Sequence, residues 1–340
     1  MRPFISMCAL AALANCAKAD IVSAQEQFDV EADVKGILIN NDQTAAIGSV
    51  KTPWMIVRPD GKSAFANDFT TNAISVVSED GVNYYAHVEG ENGDRTKVIH
   101  FTVHENGIPS KQGNVIDLLT TGEITQEDMK DKKLVGVLNK QLFFYPTDKY
   151  GTSMIYDCKT GDVRTDIVRN KQTDSFEAEN QKCLASFSNG FNLFMLCNAQ
   201  RTDYNGNITT NAYFKAASAE GEYISSAFSS DIKNMVEWWG DVYTGDSNGN
   251  VRKSDGIIAI LPGPISGLSH NYKEVFATTP ATNAFYNATL GQYNVVKDDN
   301  GNPKPMVPKT NDGLIKVIDN RRNGGKFLCV TTKGIHSIDD

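Results

Sequence analysis

The sequence predicts an all-β protein, a single β-propeller of six blades, with seven blades as the alternative. Three observations support this fold class. Short apolar runs alternate with turns rich in Gly, Asn and Asp along nearly the whole chain. Helical periodicity is nearly absent, and short helices could form only at 124–133 and 230–236. A degenerate strand-and-turn repeat recurs through the chain, as described below.

Nine apolar runs are predicted to be strands. Each run is short and is bounded by turn residues, which is typical of antiparallel sheets. The runs lie at 55–57, 73–77, 98–103, 142–145, 154–156, 193–196, 257–261, 314–318 and 327–330.

The repeat consists of an apolar strand, a small or hydroxylated residue, a turn with Gly, and a second strand. The later copies are spaced by roughly 40 residues, which is the length that four short strands and their turns require for one blade. Unrelated hairpins in a large β-sandwich are the alternative interpretation. The copies contain Gly81, Gly161, Gly221, Gly249, Gly291 and Gly334.

The N-terminus has the features of a signal peptide. A short positively charged start is followed by an apolar run at 4–14 and by Ala-Lys-Ala at 17–19, a small-x-small cleavage pattern. We therefore predict a signal peptide at 1–19, one propeller domain at 20–340, and a secreted, extracellular protein. A lipobox ending at Cys16 is a weaker alternative, because Asn precedes the cysteine.

The composition narrows the class of partner. The chain carries a net charge of −8 and has no basic stripe, so we expect neither nucleic acid nor an anionic membrane as a partner. No second segment is long and apolar enough to span a membrane. His100 and His104 lie on one face of a predicted strand, but two histidines are too few for a metal site. We expect no metal and no cofactor, and the oligomeric state stays open.

Four cysteines follow the predicted cleavage site, and in an oxidising compartment they could form two disulfides. Cys183 and Cys197 flank a Ser-Asn-Gly turn at similar distances, which predicts a cross-strand bridge in one hairpin. Elimination leaves Cys158 with Cys329. Buried free thiols are the alternative.

Two stretches, Asp-Tyr-Asn-Gly-Asn at 203–207 and Asp-Ser-Asn-Gly-Asn at 246–250, mimic the start of a calcium loop. Neither has the Gly and closing Glu positions of that loop, so hairpin turns are predicted instead. Asn207 and Asn287 open Asn-x-Thr sequons and are predicted glycosylation sites if the host glycosylates the protein.

Several motifs occur in one order along the chain. Lys-Thr-Pro and an apolar strand at 51–61 precede an Ala-rich strand, and Ser-Glu-Asp-Gly-Val-Asn-Tyr follows at 78–84. A shortened copy lies at 218–223, and 179–201 contains a Glu, a turn and an Arg. In this order the motifs resemble those of sialidases of the bacterial and trypanosomal trans-sialidase type, with the 78–84 segment similar to their Asp-box.

The resemblance implies a site with three arginines for the substrate carboxylate, a Tyr nucleophile activated by a Glu, and an Asp as acid and base. This chain departs from that pattern. Lys51 stands at the first Arg position and Phe69 at another, the loop that would carry the acid is shortened at 70–72, and no Arg follows Pro280 before residue 294.

The resemblance and its departures together predict a catalytically inactive, sialidase-like propeller that binds a glycan or a glycoprotein on another cell. Glu179 is the candidate catalytic residue, and Lys51, Arg201, Trp238 and Trp239 are candidate ligand-binding residues. An active glycoside hydrolase of the sialidase type and a protein-binding propeller with no sugar role are the alternatives.

Overall fold

The computed structural model describes about two thirds of the chain. No helix in this part of the chain is long and apolar enough to cross a membrane. The described residues are 22–23, 34–39, 45–49, 54–57, 62–104, 108–165, 168–169, 177–178, 180–188, 192–218, 221–228, 232–238, 241–253, 256–270, 274–279, 284–288, 299–302, 314–319, 327–331 and 334–338.

The described strands form consecutive antiparallel sheets of strands that follow one another in sequence, except that β1 of sheet 1 pairs with β5 at the edge of that sheet and β2 begins its meander. Sheet 1 contains β1 (Val22–Ser23), β2 (Val34–Ile39), β3 (Ala45–Ser49), β4 (Met55–Val57) and β5 (Lys62–Phe65). Sheet 2 contains β6 (Ala73–Ser78), β7 (Asn83–Val88), β8 (Lys97–Val103) and β9 (Pro109–Asp117). Sheet 3 contains β10 (Lys132–Leu138), β11 (Gln141–Pro146), β12 (Met154–Asp157) and β13 (Val163–Thr165).

A two-stranded ribbon of β14 (Val168–Arg169) and β15 (Glu177–Ala178) precedes the remaining sheets. Sheet 4 contains β16 (Asn180–Ser188), β17 (Asn192–Thr202), β18 (Ile208–Ser218) and β19 (Gly221–Phe228). Sheet 5 contains β20 (Ile232–Trp238), β21 (Asp241–Asp246), β22 (Asn250–Lys253) and β23 (Gly256–Ile260). Sheet 6 contains β24 (Gly267–His270), β25 (Val275–Thr279) and β26 (Ala284–Asn287), and sheet 7 contains β27 (Leu314–Asp319), β28 (Phe327–Thr331) and β29 (Gly334–Ile338).

Two short α-helices lie in the connections before sheets 2 and 3. Helix α1 spans Asn67–Thr70, and helix α2 spans Gln126–Met129. Thr125 and Asp128 form a capping box at the start of α2, which satisfies N–H groups that the first helical turn leaves unpaired.

The first strands of the sheets pack beside one another in chain order, from β2 through β6, β10, β16, β20 and β24 to β27. A four-stranded meander returns the chain to the end at which it began, and only three residues join β19 to β20. Successive first strands therefore run in the same direction. One end of the sheets carries the hairpins between the second and third strands and the connections from one sheet to the next. We call it the link end.

The hydrophobic core lies between neighbouring sheets. One cluster joins sheets 1 and 2 around Trp54 and Tyr84, and another joins sheets 2 and 3 around Phe144. Further clusters join sheets 3 and 4, and sheets 4, 5 and 6. Among the described side chains, sheets 1 to 6 thus pack against their neighbours, and no one of these clusters joins all six sheets.

A β-bulge in the first strand is the feature that recurs from sheet to sheet. In six of the described first strands one residue has no partner on the second strand. Three to five paired residues separate this bulge from the turn that joins the two strands. A bulge bends the strand and increases its twist, which lets adjacent sheets pack closely. The bulged residues are Lys35, Ile74, Val135, Leu184, Lys233 and Ile315.

Polar side chains of neighbouring sheets bind the backbone at and near these bulges. The Ser186 hydroxyl of sheet 4 donates to the Val135 carbonyl oxygen of sheet 3 at 2.6 Å. The backbone N–H of Leu134 donates to Nδ1 of His87 in sheet 2 at 3.2 Å, and His87 Nε2 then donates to the Arg95 carbonyl oxygen. Burial lowers the pKa of His87 to about 4, so this histidine is neutral at pH 7.

The nine strands predicted from the sequence are confirmed, and the helix expected within 124–133 is confirmed as α2. The helix considered at 230–236 is wrong, because strand β20 occupies this region. The cause is the bulge at Lys233. It shifts the strand alternation so that the buried residues are Ile232, Met235 and Val236, a spacing that imitates a helix.

The glycine repeat does not mark equivalent positions in successive sheets. Gly81 lies between the first and second strands of its sheet, Gly249 between the second and third, and Gly161 between the third and fourth. The repeat therefore reflects the chemistry that hairpin turns share.

Candidate functional site

The structure does not bring together the candidate ligand-binding residues that it describes. Lys51, Glu179 and Trp239 lie outside the described residues. For Arg201 and Trp238 the structure describes only the backbone. Arg201 lies near the end of β17 at the link end, whereas Trp238 ends β20 at the opposite end of its sheet. The two positions lie about one strand length apart along the sheets.

Two residues at which the chain departs from the sialidase pattern, Phe69 and Thr70, belong to the core. The ring of Phe69 is buried and stacks on Phe101 with a centroid separation of 4.9 Å. The Thr70 hydroxyl is buried, accepts from the backbone N–H of Trp54 at 3.0 Å and donates to the Ala66 carbonyl oxygen at 2.7 Å. These side chains hold sheets 1 and 2 together and do not face a ligand.

A tyrosine and a glutamate meet elsewhere, between sheets 2 and 3. The Tyr85 hydroxyl donates to Glu79 Oε2 at 3.3 Å, and Glu79 Oε1 accepts from the backbone N–H of Lys140 at 2.9 Å. Sequence reasoning missed this pair, although Glu79 lies in the segment at 78–84 that it singled out. Both carboxylate oxygens of Glu79 therefore have protein partners, Oε2 within sheet 2 and Oε1 in sheet 3.

The side chains around this pair are stacked and hydrogen-bonded. Burial, followed by the nearby Glu79 carboxylate, raises the pKa of Tyr85 above its ordinary value. Burial also raises the pKa of the Cys158 thiol to about 11. His100 stacks on the Tyr85 ring at 4.6 Å and pairs with Asn83 Oδ1 at 3.0 Å. The Tyr85 phenol and the Cys158 thiol are therefore protonated at pH 7, and the cluster provides contacts between sheets 2 and 3.

The hairpin of β17 and β18 lies at the link end and is exposed there. Each strand has 11 residues, and their pairing runs without interruption to Thr202 opposite Ile208. The pairing of β19 with β18 stops at Ala212, opposite Phe228. Four further residues of β18 extend the hairpin by about 13 Å beyond the end of β19. The ribbon strand β15 contacts β17.

The turn at the tip of this hairpin is held by one carboxylate. Asp203 Oδ1 accepts from the backbone N–H groups of Asn205 and Asn207, each at 2.8 Å, and Oδ2 accepts from the Asn207 amide at 2.9 Å. The hydrogen bond from the Asn207 side chain is the largest of the causes that lower the pKa of Asp203. Both carboxylate oxygens bind groups within the turn, as expected for the predicted hairpin turn.

The tip exposes apolar side chains to solvent. The Tyr204 side chain is 98% exposed and that of Ile208 is 64% exposed. The other described side chains of residues 202–210 are polar, and none of them is a cation. We call residues 202–210 the projecting tip.

The second Asp-x-Asn-Gly-Asn sequence forms the β21–β22 turn. Asp246 accepts the three equivalent hydrogen bonds, from Asn248 and Asn250, at 2.8–2.9 Å. Here the connection between sheets 5 and 6 covers the turn. The backbone N–H of Leu261 donates to the Gly249 carbonyl oxygen at 2.8 Å, and the backbone N–H of Ile265 donates to the Asp246 carbonyl oxygen at 3.0 Å. Residues 246–251 are called the covered turn.

The cysteines and the second sequon lie away from the projecting tip. Cys183 and Cys197 are directly opposite partners on β16 and β17, and both are buried. Cys158, Cys183 and Cys197 form no disulfide in the structure, so the bridge between Cys183 and Cys197 stays a prediction. Of Cys329 only the backbone is described. Asn287 lies in β26, and its amide donates to Glu274 Oε1 at 2.8 Å.

Comparisons with known proteins identify the fold class. No protein-family model and no curated protein matches the chain. Solved β-propellers do match. The β-propeller domain of Cps50 (Swd1) from Myceliophteria thermophila has a TM-score of 0.53 at 12% identity, covering 91% of this chain and 98% of that one. The Neurospora crassa Pan2 WD40 domain has a TM-score of 0.50 at 9% identity, covering 91% and 90%.

A chain of a mitotic checkpoint complex also matches, with a TM-score of 0.51 at 11% identity, covering 94% of this chain and 93% of that one. At such low identity these likenesses concern the fold alone. The chain is all-β and is similar in fold to β-propellers of the WD40 type. The sialidase resemblance stays a prediction from the motifs.

Proposed function

We propose that this protein is a non-catalytic β-propeller that binds a protein partner. The observation that supports the proposal is the burial of Phe69, which stands where the sialidase pattern expects a clamp arginine, and of Thr70, which begins the shortened loop that would carry the acid. Without those groups the charge that develops in glycoside hydrolysis has no stabilising partner there. The Tyr85–Glu79 pair does not replace them, since both oxygens of Glu79 already bind protein groups.

The fold similarity adds support for a protein partner. One propeller with the same fold is part of a mitotic checkpoint complex. Propellers offer wide, rigid ends on which hairpin turns are displayed, and binding residues concentrate on such turns. A net charge of −8 favours a protein surface over a polyanionic partner.

Three measurements on the full chain test this function. We expect no release of sialic acid from a fluorogenic sialoside, no binding on a glycan array, and, in extracts of the source organism, migration in a complex larger than the 37.2 kDa chain with one stoichiometric second protein. If the chain released sialic acid and the Glu179→Gln variant did not, the protein would instead be a glycoside hydrolase. Array binding without a protein complex would favour the glycan-binding hypothesis.

The seven sheets are, in this proposal, seven blades of a closed propeller. The side-by-side packing of the first strands from β2 to β27 supports it. Closure requires β27 to lie beside β2, which would remove the exposed faces of the first and last sheets. An experimental structure that shows six blades, or a gap between sheets 1 and 7, would contradict this arrangement.

A further inference from the structure

We propose that the projecting tip, residues 202–210, is the element that docks into the protein partner, with Tyr204 as its anchor. This inference rests on the proposed function and names the surface and the kind of partner. The partner presents an uncharged apolar pocket that accepts a phenol ring, with a hydrogen-bonding group at its base.

The first argument is that the tip is rigid as well as exposed. The three hydrogen bonds to the Asp203 carboxylate hold the turn in one conformation, and the backbone N–H of Asp203 donates to the Asn207 carbonyl oxygen at 2.9 Å. An exposed tyrosine on a rigid turn loses little conformational entropy on binding, because its side chain has two rotatable bonds.

The second argument comes from the covered turn, which has the same backbone hydrogen bonds. At the position of Ile208 it has Val251, which is completely buried, and at the position of Tyr204 it has Ser247, which is exposed. In the covered turn the apolar residue packs within the protein and the solvent-facing residue is polar. In the projecting tip both positions are apolar and both face solvent.

Neither apolar side chain of the tip therefore stabilises the described fold. A Cβ built on Gly206 would have no atom within 4 Å, so no other part of the described chain covers the turn. Single exposed apolar side chains are common on protein surfaces, but here two of them share one projecting turn, and tyrosine is among the residues that contribute most to binding energy.

The charge of the tip determines the kind of partner. The described side chains of 202–210 include no cation, and the one carboxylate is already bound inside the turn. Phosphate recognition requires Lys or Arg, so a nucleic acid does not fit this surface. A second copy carries the same net charge of −8, which opposes self-association. A neutral, apolar pocket on a different protein fits the tip.

The test places a photocrosslinker at the tip of the full chain in cells of the source organism. Tyr204 is replaced by p-benzoyl-phenylalanine, and the matched control carries the same group in place of Ser247, the exposed equivalent in the covered turn. The crosslinked protein is identified by mass spectrometry and purified. Its affinity for the wild-type chain and for four variants is then measured by calorimetry.

We expect one protein to crosslink at position 204 and not at 247. Tyr204→Ala should weaken its binding at least 30-fold, the loss typical of a hot-spot residue. Tyr204→Phe should weaken binding less than tenfold, Ile208→Ser about fivefold, and Ser247→Ala less than twofold. Because Tyr204 is almost fully exposed, the melting temperature should not change in either Tyr204 variant.

Several results would overturn the inference. Crosslinks only to other copies of the chain would make the tip a self-association site. Equal crosslinking at 204 and 247, or no adduct at 204, would show that the tip contacts no specific partner. A stoichiometric partner whose affinity is unchanged by Tyr204→Ala would leave the proposed protein-binding function intact and refute only its assignment to the tip.

Discussion

The projecting tip and the covered turn have nearly the same sequence and the same hydrogen bonds, yet one faces solvent and the other is buried. Asp246 is 4% exposed beneath residues 261–265, whereas none of the described residues covers the turn at Asp203. The lengths of the connections explain the difference. Six residues join β23 to β24 and fold over the covered turn, while three join β19 to β20. Identical local chemistry can therefore serve either stability or recognition.

The largest expected effect comes from the glycines of the two turns, which both have a left-handed φ, +82° at Gly206 and +86° at Gly249. In Gly249→Ala the new Cβ would press on the Leu261 carbonyl oxygen and lie 2.8 Å from that of Gly263. Strain and overpacking together should cost about 3–4 kcal/mol. Gly206→Ala has only the backbone strain and should cost about 1 kcal/mol. Urea unfolding of both variants measures the difference, and equal losses would refute the contrast.

A second pair of variants tests the apolar position that follows each turn. Val251→Ser removes a fully buried side chain and buries a hydroxyl, which should cost about 3 kcal/mol. Ile208→Ser alters a side chain that is 64% exposed and should change the stability by less than about 0.5 kcal/mol. If Ile208→Ser also destabilised the protein strongly in thermal unfolding, the tip would have to pack within the fold.

The two sequons give a comparison of accessibility. Expressed with a secretory signal in a glycosylating host, the chain should be modified at Asn207, which lies in an exposed turn, and not at Asn287, which is half-buried in β26. A glycan at Asn207 would lie on the projecting tip and should weaken binding of the proposed partner. Mass spectrometry of glycosidase-treated peptides measures occupancy at each site. If Asn287 carried a glycan in as large a fraction of molecules as Asn207, β26 would not yet be formed when the glycan is attached.

The smallest expected effect concerns pH. The pKa of Asp203 is lowered chiefly by the Asn207 side chain, so its contribution to stability is present above the ordinary Asp pKa and is lost as the pH falls through the lowered value. Asn207→Ala should move the pKa of Asp203 upward, towards the ordinary value. An NMR titration of the carboxyl carbon measures both values. An unchanged pKa in the variant would show that the amide does not hold the carboxylate.

Much of the local structure could be predicted from the sequence. Alternating apolar runs gave the nine strands, and the Asp-x-Asn-Gly-Asn pattern gave both hairpin turns, because these features depend on residues within a few positions of one another. The β20 strand was missed for a physical reason. The bulge at Lys233 depends on how β20 pairs with β21. It changes the spacing of the apolar residues in β20 from the alternation of a strand to a spacing that resembles a helix.

The candidate site was beyond prediction for a similar reason. The sequence alone determined that Asp203 and Asp246 would bind the amides that follow them, since those partners lie two and four residues away. Only the tertiary structure decided that Tyr204 is exposed and Val251 is buried, and that Phe69 belongs to the core. Burial depends on segments distant in sequence, such as the connection at 261–265, and the pattern within a single turn carries no information about what will cover it.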